Sequence, residues 1–178
     1  MNYIERCGLI GNNIIQLIKE VFNMAEKRIN IFIPHYGKDE EHIPRLKKML
    51  ESKNYVVRDS SIVETEPNNA KNIEYIKSLL RPKINWAGTI IVLIGPKTHE
   101  RDWVNWEIEH AFENNKRIVG VFIQGATDSD LPDNFKDYGD ACVAWNSDKL
   151  VAAIEGDNIW HDSTGNDRPI DGTGRVTC

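Results

Sequence analysis

Three cysteines, Cys7, Cys142 and Cys178, are too few and too far apart for a disulfide framework, and no C-x-x-C pair offers a metal or redox site. Cys142 lies in an apolar stretch and reads as a small buried hydrophobe; a reducing cytoplasm suits such a chain best. Positive charge is also scarce. Lys and Arg number 22 against 27 Asp and Glu, a net charge of −5 that leaves no basic face for nucleic acid. The longest apolar run, Ile90 to Ile94, is far too short to cross a bilayer. Glu5, Arg6, Asn12, Asn13 and Lys19 interrupt the apolar positions of residues 1–24, so no secretory leader is expected there.

What remains is an ordinary globular balance, 40% apolar and 28% charged, in 178 residues, enough for one full-sized core. Five β-type runs punctuate the chain: Ile29–Ile33, Tyr55–Asp59, Thr89–Ile94, Arg117–Ile123 and Ala141–Trp145. The third and fourth are almost continuously apolar, as expected of strands buried on both faces of a parallel sheet. Helical patterns separate them at about Glu40–Ser52, Ala70–Leu80, Asp102–Asn115 and Ser147–Glu155. Strand and helix alternating in this way predict βαβ units, and right-handed crossovers favour an α/β flavodoxin-like sheet of order 2-1-3-4-5 with helices on both faces. Residues 25–160 form the expected domain. Residues 1–24 carry a helical pattern (Leu9, Ile10, Ile14, Leu17, Ile18, Val21, Phe22), and residues 161–178, rich in Gly, Asp, Asn and Thr, read as a flexible tail.

In a sheet of that order ligands bind beyond the carboxyl ends of strands one and three, where the winding reverses. The loops there are Pro34–Asp39 and Gly95–Arg101, with Ser60–Asn69 able to fold over the same edge. Familiar tenants of the fold are missing. No G-x-G-x-x-G follows the first strand, and no G-x-x-x-x-G-K-[ST] occurs anywhere. Ile94-Gly95-Pro96 stands where a phospho-acceptor receiver needs an aspartate.

The most informative stretch is Arg101-Asp102-Trp103-Val104-Asn105-Trp106-Glu107-Ile108-Glu109-His110-Ala111-Phe112. Asp102 reads as the N-cap. With Trp103 at 0°, Val104, Ile108, Ala111 and Phe112 fall between about 80° and 180°, an arc that faces the sheet. Glu107 lies near 40°, at the edge of that arc and one turn above Trp103, whereas Glu109 and Glu113 point to solvent. A carboxylate beside an indole at a core boundary is partly desolvated, which raises its pKa. An arbitrary W-x-x-x-E is a weak signal; its place at the mouth of the switch-point cleft strengthens it. His110 reads as solvent-facing, Trp86 and Trp145 as packing residues, and Lys47-Lys48 as a solvated face.

From Ile31-Phe32-Ile33-Pro34-His35, through Arg58-Asp59-Ser60-Ser61-Ile62 and Ile90–Gly95, to Asp102–Ile108 and Ala144–Asp148, the chain resembles a TIR domain. It is most similar to the stand-alone TIR-like proteins of Thoeris anti-phage systems. The resemblance implies cleavage of the nicotinamide–ribose bond of NAD, with NAD as substrate and no separate cofactor. It matches the family's catalytic glutamate to Glu107 and the preceding aromatic to Trp103, and places His35, Tyr36, Asp59 and Ser60 around the nucleotide. It implies a cytoplasmic enzyme whose ADP-ribose derivative, often cyclic, activates a separate effector protein, with self-association or a phage-derived trigger as further partners. The chain departs from the family at Pro34, where many members have Ser, and at Gly37-Lys38, where many enzymatic members have Arg.

The chemistry agrees with that assignment. Nicotinamide leaves as a neutral molecule from a cationic ring, so positive charge develops on the ribose, where a carboxylate stabilises it. An adjacent indole can stack on either base. No His/Cys cluster has metal-ligand spacing. Two other classes use the same residues differently: a non-enzymatic TIR module assembling through the loop after strand two, and a nucleoside glycosidase with a cleft glutamate.

Overall fold

The computed structural model describes residues 27–59 and 73–168. The helical pattern at 9–22, the loop 60–69 and residues 169–178 lie outside them. Five parallel strands form one sheet in the order β2-β1-β3-β4-β5, with β1 at Lys27–Phe32, β2 at Tyr55–Asp59, β3 at Thr89–Ile94, β4 at Arg117–Phe122 and β5 at Ala141–Val143. The helices are α1 (His42–Glu51), α2 (Ile73–Trp86), α3 (Asp102–Glu113), α4 (Asp133–Tyr138) and α5 (Ser147–Glu155). This is the flavodoxin-like arrangement that the alternating runs predict.

All six residues of β3 are buried. The pleat sends alternate side chains to opposite faces, and the core divides accordingly. Ile91 and Leu93 join Ile31, Leu46, Leu50, Val121 and Leu150 beneath α1 and α5. Ile90, Val92 and Ile94 join Phe32, Ile84, Val104, Ile108 and Phe135 beneath α2, α3 and α4. Fully burying each of these aliphatic side chains is worth about 1.5–3 kcal/mol.

Several elements differ from the sequence expectation for identifiable reasons. Helix α2 does not stop near Leu80 but runs through Pro82 to Trp86. The extra turn lays Ile84 and Ala87 into the core, which offsets the interior proline. Helix α4 is short and polar enough to escape detection, and it exists to deliver Phe135 to the sheet. Gly120 of β4 makes room for that ring: a Cβ there would sit 2.5 Å from Phe135 Cζ. Trp86 and Trp145 are largely exposed at 40% and 37%, with Arg58 stacked on the first at 5.0 Å.

The expectation of a flexible tail from His161 fails over residues 161–168. Ile159–His161 run parallel to β5, with the Cys142 amide donating to Ile159 O at 2.8 Å and the His161 amide to Cys142 O at 2.8 Å. His161 is 4% exposed. Beyond it, Arg168 pairs with Asp128 at 3.2 Å, and the Ser163 amide donates to the same carboxylate at 2.9 Å.

Two stability measurements follow. Gly120→Ala should overpack the Phe135 contact and cost about 1–3 kcal/mol in chemical denaturation, a loss that Phe135→Leu in the same chain partly restores. A chain ending at Trp160 should melt several degrees below one ending at Arg168, about 2–4 °C for each kcal/mol lost. Equal melting temperatures would mean that residues 161–168 add nothing to the core.

Candidate active site

The site lies at the carboxyl edge of the sheet, where α1 leaves toward one face and the chain after β3 turns to the other. The loop after β1 is rigid at its start. The Pro34 carbonyl accepts from the Leu93 amide at 3.0 Å, and His35 Nδ1–H donates to Ile33 O at 2.7 Å. That bond fixes the proton on Nδ1 and leaves Nε2 of a neutral ring as an acceptor. The next side chain, Tyr36, lies flat beneath the Arg101 guanidinium, whose carbon is 3.7 Å from the ring centroid.

The loop after β3 is anchored from β4's side. Asp130 accepts from the amide of Lys97 at 2.7 Å and from both the amide and the hydroxyl of Thr127 at 2.8 Å. Although burial desolvates Asp130, those donors hold its carboxyl below the usual range. Lys97 is thereby kept in the left-handed region at φ 72°. Thr98 closes the turn, receiving the Gly95 amide and donating to the Gly95 carbonyl, both at 2.9 Å.

Helix α3 then begins at Asp102, one residue earlier than an Asp102 N-cap would have it. Arg101 holds the N-cap position and offers no side-chain cap. Trp103 is 38% exposed and meets Trp106 edge-on at 5.9 Å. Trp106 is enclosed by the stacked His110 ring at 5.5 Å, with Lys77 Nζ at 5.3 Å and the Arg81 guanidinium at 5.9 Å. His110 is therefore not solvent-facing; its burial lowers its pKa.

These side chains enclose a cleft of about 550 Å³, lined by His35, Tyr36, Gly37, Ile73, Lys77, Trp106 and the run Glu100–Val104. Three of the residues singled out in the sequence thus meet: His35, Tyr36 and Trp103. Glu107 stands one turn behind Trp103 and Val104, not on the cleft wall itself. It is 9% exposed, whereas Glu109 is open to solvent. Burial pushes the Glu107 carboxyl up to about 8, and among the described residues it has no hydrogen-bonding or ion-pairing partner.

Asp59 is placed differently. Lys47 of α1 holds its carboxylate at 2.7 Å, so Lys47 is not simply solvated and Asp59 ties β2 to its helix. Asp59 is not among the cleft-lining residues. Ser60 lies outside the described residues. Sequence reasoning missed Asp39, the last residue of the β1 loop. It is 7% exposed, and among the described residues its Oδ2 has no hydrogen-bond partner. Desolvation raises its pKa against the opposing pull of His42, His35 and Arg101. Its carboxyl fills the space a side chain would need at position 95, where a Cβ would lie 2.5 Å from Oδ2. Among the described residues no group of three His, Cys, Asp or Glu side chains could hold a metal ion.

A family model, that of the Thoeris protein ThsB, TIR-like domain, matches residues 32–128, more than half of the chain. The chain belongs to the ThsB TIR-like domain family. No curated protein matches it. Among solved structures, a 2-deoxyribosyltransferase from Bacillus psychrosaccharolyticus shares the fold, with TM-score 0.50, 12% identity, and 68% of this chain and 89% of that one covered. The CMP N-glycosidase BcmB of Clostridium botulinum aligns with TM-score 0.44 and 14% identity over 71% of this chain and 98% of that one. The TIR domains of the Roq1 resistosome align with TM-score 0.38 and 19% identity over 53% and 57%.

The family match runs from the last residue of β1 to the turn after β4, so in this TIR-like domain it contains both loops and the whole of α3. Within that span Glu107 works against stability. A carboxyl with a folded pKa near 8 and an ordinary value near 4.5 when unfolded favours folding below pH 4.5 and loses that advantage as pH rises toward 8. By pH 7 the loss is at most about 3 kcal/mol. Glu107→Gln should therefore raise the melting temperature at pH 8 more than at pH 5. Glu109→Gln should shift neither. A Glu107→Gln gain that is the same at both pH values would show that burial does not perturb this carboxyl.

Proposed function

We propose that this TIR-like domain cleaves the bond between nicotinamide and ribose in NAD, with Glu107 as the catalytic carboxylate. The observation that carries the proposal is the position of Glu107: buried, without a partner among the described residues, and one turn behind an indole that lines the switch-point cleft. A group kept at a cost to folding is a candidate for chemistry.

The perturbed acid suits this substrate. Before substrate binds, Glu107 is largely protonated at neutral pH, which avoids a bare buried charge. A nicotinamide ring entering beside it carries a positive charge, which lowers the carboxyl's pKa and favours the anion. Held one turn behind the cleft wall, the carboxylate then stabilises the positive charge that grows on the ribose carbon as the neutral nicotinamide departs. Trp103, half exposed and braced edge-on by Trp106, supplies a flat face for the leaving ring. His35 and Tyr36 border the rest of the nucleotide. The acceptor of the ribosyl group decides the product: water gives ADP-ribose, and an internal nucleophile gives a cyclic derivative. NAD is thus substrate, not cofactor. Given the Thoeris family, the product is the cytoplasmic signal of an anti-phage response, read by a separate effector protein, and self-association or a phage-derived trigger switches the enzyme on.

Nicotinamide release from NAD by the full chain tests this directly. The rate constant kcat/KM should rise with pH through about 8 as free Glu107 ionises. Glu107→Gln should lower kcat by at least about a hundredfold while the fold stays intact, and Glu109→Gln should match wild type. A folded Glu107→Gln variant with wild-type turnover would remove Glu107 from the mechanism. Release of free base from nucleosides or nucleotides, with NAD untouched, would instead assign a nucleoside glycosidase. Concentration-dependent assembly without turnover of either substrate would assign an interaction module.

A further inference from the structure

We propose that Arg101 anchors the phosphate groups of a nucleotide in the cleft. The proposal rests on the nucleotide reading of that cleft and names the residue that grips its charged portion.

Arg101 is held in place without its hydrogen-bond donors being used. Its guanidinium stacks on Tyr36 at 3.7 Å, a contact made through the flat face of the group. Around its edge the N–H groups have little to do. Among the described residues the side chain makes no hydrogen bond, and Nε is buried with no partner. A buried, unsatisfied donor on a charged group is costly, so one that persists invites a ligand. The nearest carboxylate is that of its chain neighbour Glu100, half exposed and 3.9 Å away, beyond hydrogen-bonding distance.

The surroundings fit an anion better than a neutral group. Arg101 and Lys77 both line the cleft, and Lys38 Nζ lies 5.9 Å from the centroid of the same Tyr36 ring. Lys77 is partly neutralised by Glu74 at 3.5 Å, and the two acidic residues of the lining, Glu100 and Asp102, are solvent-exposed. Of the two described cations that line the cleft, Arg101 thus keeps more of its donors unused. Its planar fork matches two phosphate oxygens at once, which an ammonium cannot do. The loop after β1 carries Gly37-Lys38 and no arginine. Arg101, reaching over Tyr36 from the loop after β3, brings a guanidinium to that same edge from the opposite side of the switch point.

The test compares equilibrium binding of inorganic pyrophosphate, ADP-ribose and adenosine to the full chain as wild type, Arg101→Gln and Arg101→Lys, with thermal melts confirming folding. Arg101→Gln should weaken ADP-ribose and pyrophosphate about ten- to a hundredfold and leave adenosine within about twofold. Arg101→Lys keeps the charge but loses the fork, and should fall between the two. If Arg101→Gln does not fold, the lysine variant decides, since a merely structural role would weaken adenosine equally. ADP-ribose affinity unchanged in a folded variant overturns the proposal, as does a wild-type chain that binds ADP-ribose no better than adenosine. Nicotinamide release with an unchanged KM in Arg101→Gln would defeat this subsite and leave the NAD reading standing. Arg101-dependent ADP-ribose binding in a chain that releases no nicotinamide would do the reverse.

Discussion

A strand with no exposed residue must be covered on both sides, and a parallel neighbour can be reached only by crossing one face or the other. β3 imposes that condition here: all six of its residues are buried, divided by the pleat between two separate cores. The chain leaves β1 through α1 onto one face and leaves β3 through α3 onto the other. The two loops therefore diverge, and the gap between them cannot be filled by the sheet. The cleft is a by-product of satisfying β3. Its walls are then firmed by Asp130 on one side and by the Pro34–Leu93 bond on the other.

Helix α3 carries two demands on one surface. Val104, Ile108 and Ala111 must lie on the sheet, and they are 1% exposed or less. Any residue on the margin of that stripe inherits a dry environment whether or not it is apolar. Glu107 occupies that margin, and the aromatic pair Trp103–Trp106 extends the dry region outward to the cleft. An acid that would be ordinary one position further round becomes a strongly perturbed one. Geometry alone makes the difference between Glu107 and Glu109.

Much of this could be read before the structure, because periodic burial leaves a periodic trace. The near-continuous apolar runs at Thr89–Ile94 and Arg117–Ile123 announced buried strands, and the arc of α3 singled out one glutamate of three. Features that depend on a single contact left no such trace. Helix α4 has one buried side chain, Phe135, in six residues; α2 outlasts Pro82 only because Ile84 finds a pocket. His161 follows a polar composition into a buried position because backbone pairing with Cys142 carries it there. In the site, loop residues were legible where they were aromatic. Asp39 and Arg101 were not, since nothing in a loop's spacing tells which charge turns inward. Asp59 was visible as a strand-end acid, but its tie to Lys47 lies on a helix that sequence reading treated as solvated.

Gly95 and Asp39 have a consequence for how this chain can vary. The carboxyl of one fills the place where the other's side chain would begin, so the two positions are not free to change separately. Any residue with a Cβ at 95 collides unless 39 becomes smaller, and a smaller residue at 39 leaves a void unless 95 grows. Single substitutions at either site would look forbidden in a mutational scan, while a suitable pair could pass. Such epistasis ties the first and third strand ends together as one unit of descent, and a library that samples them independently would miss every viable combination but the original.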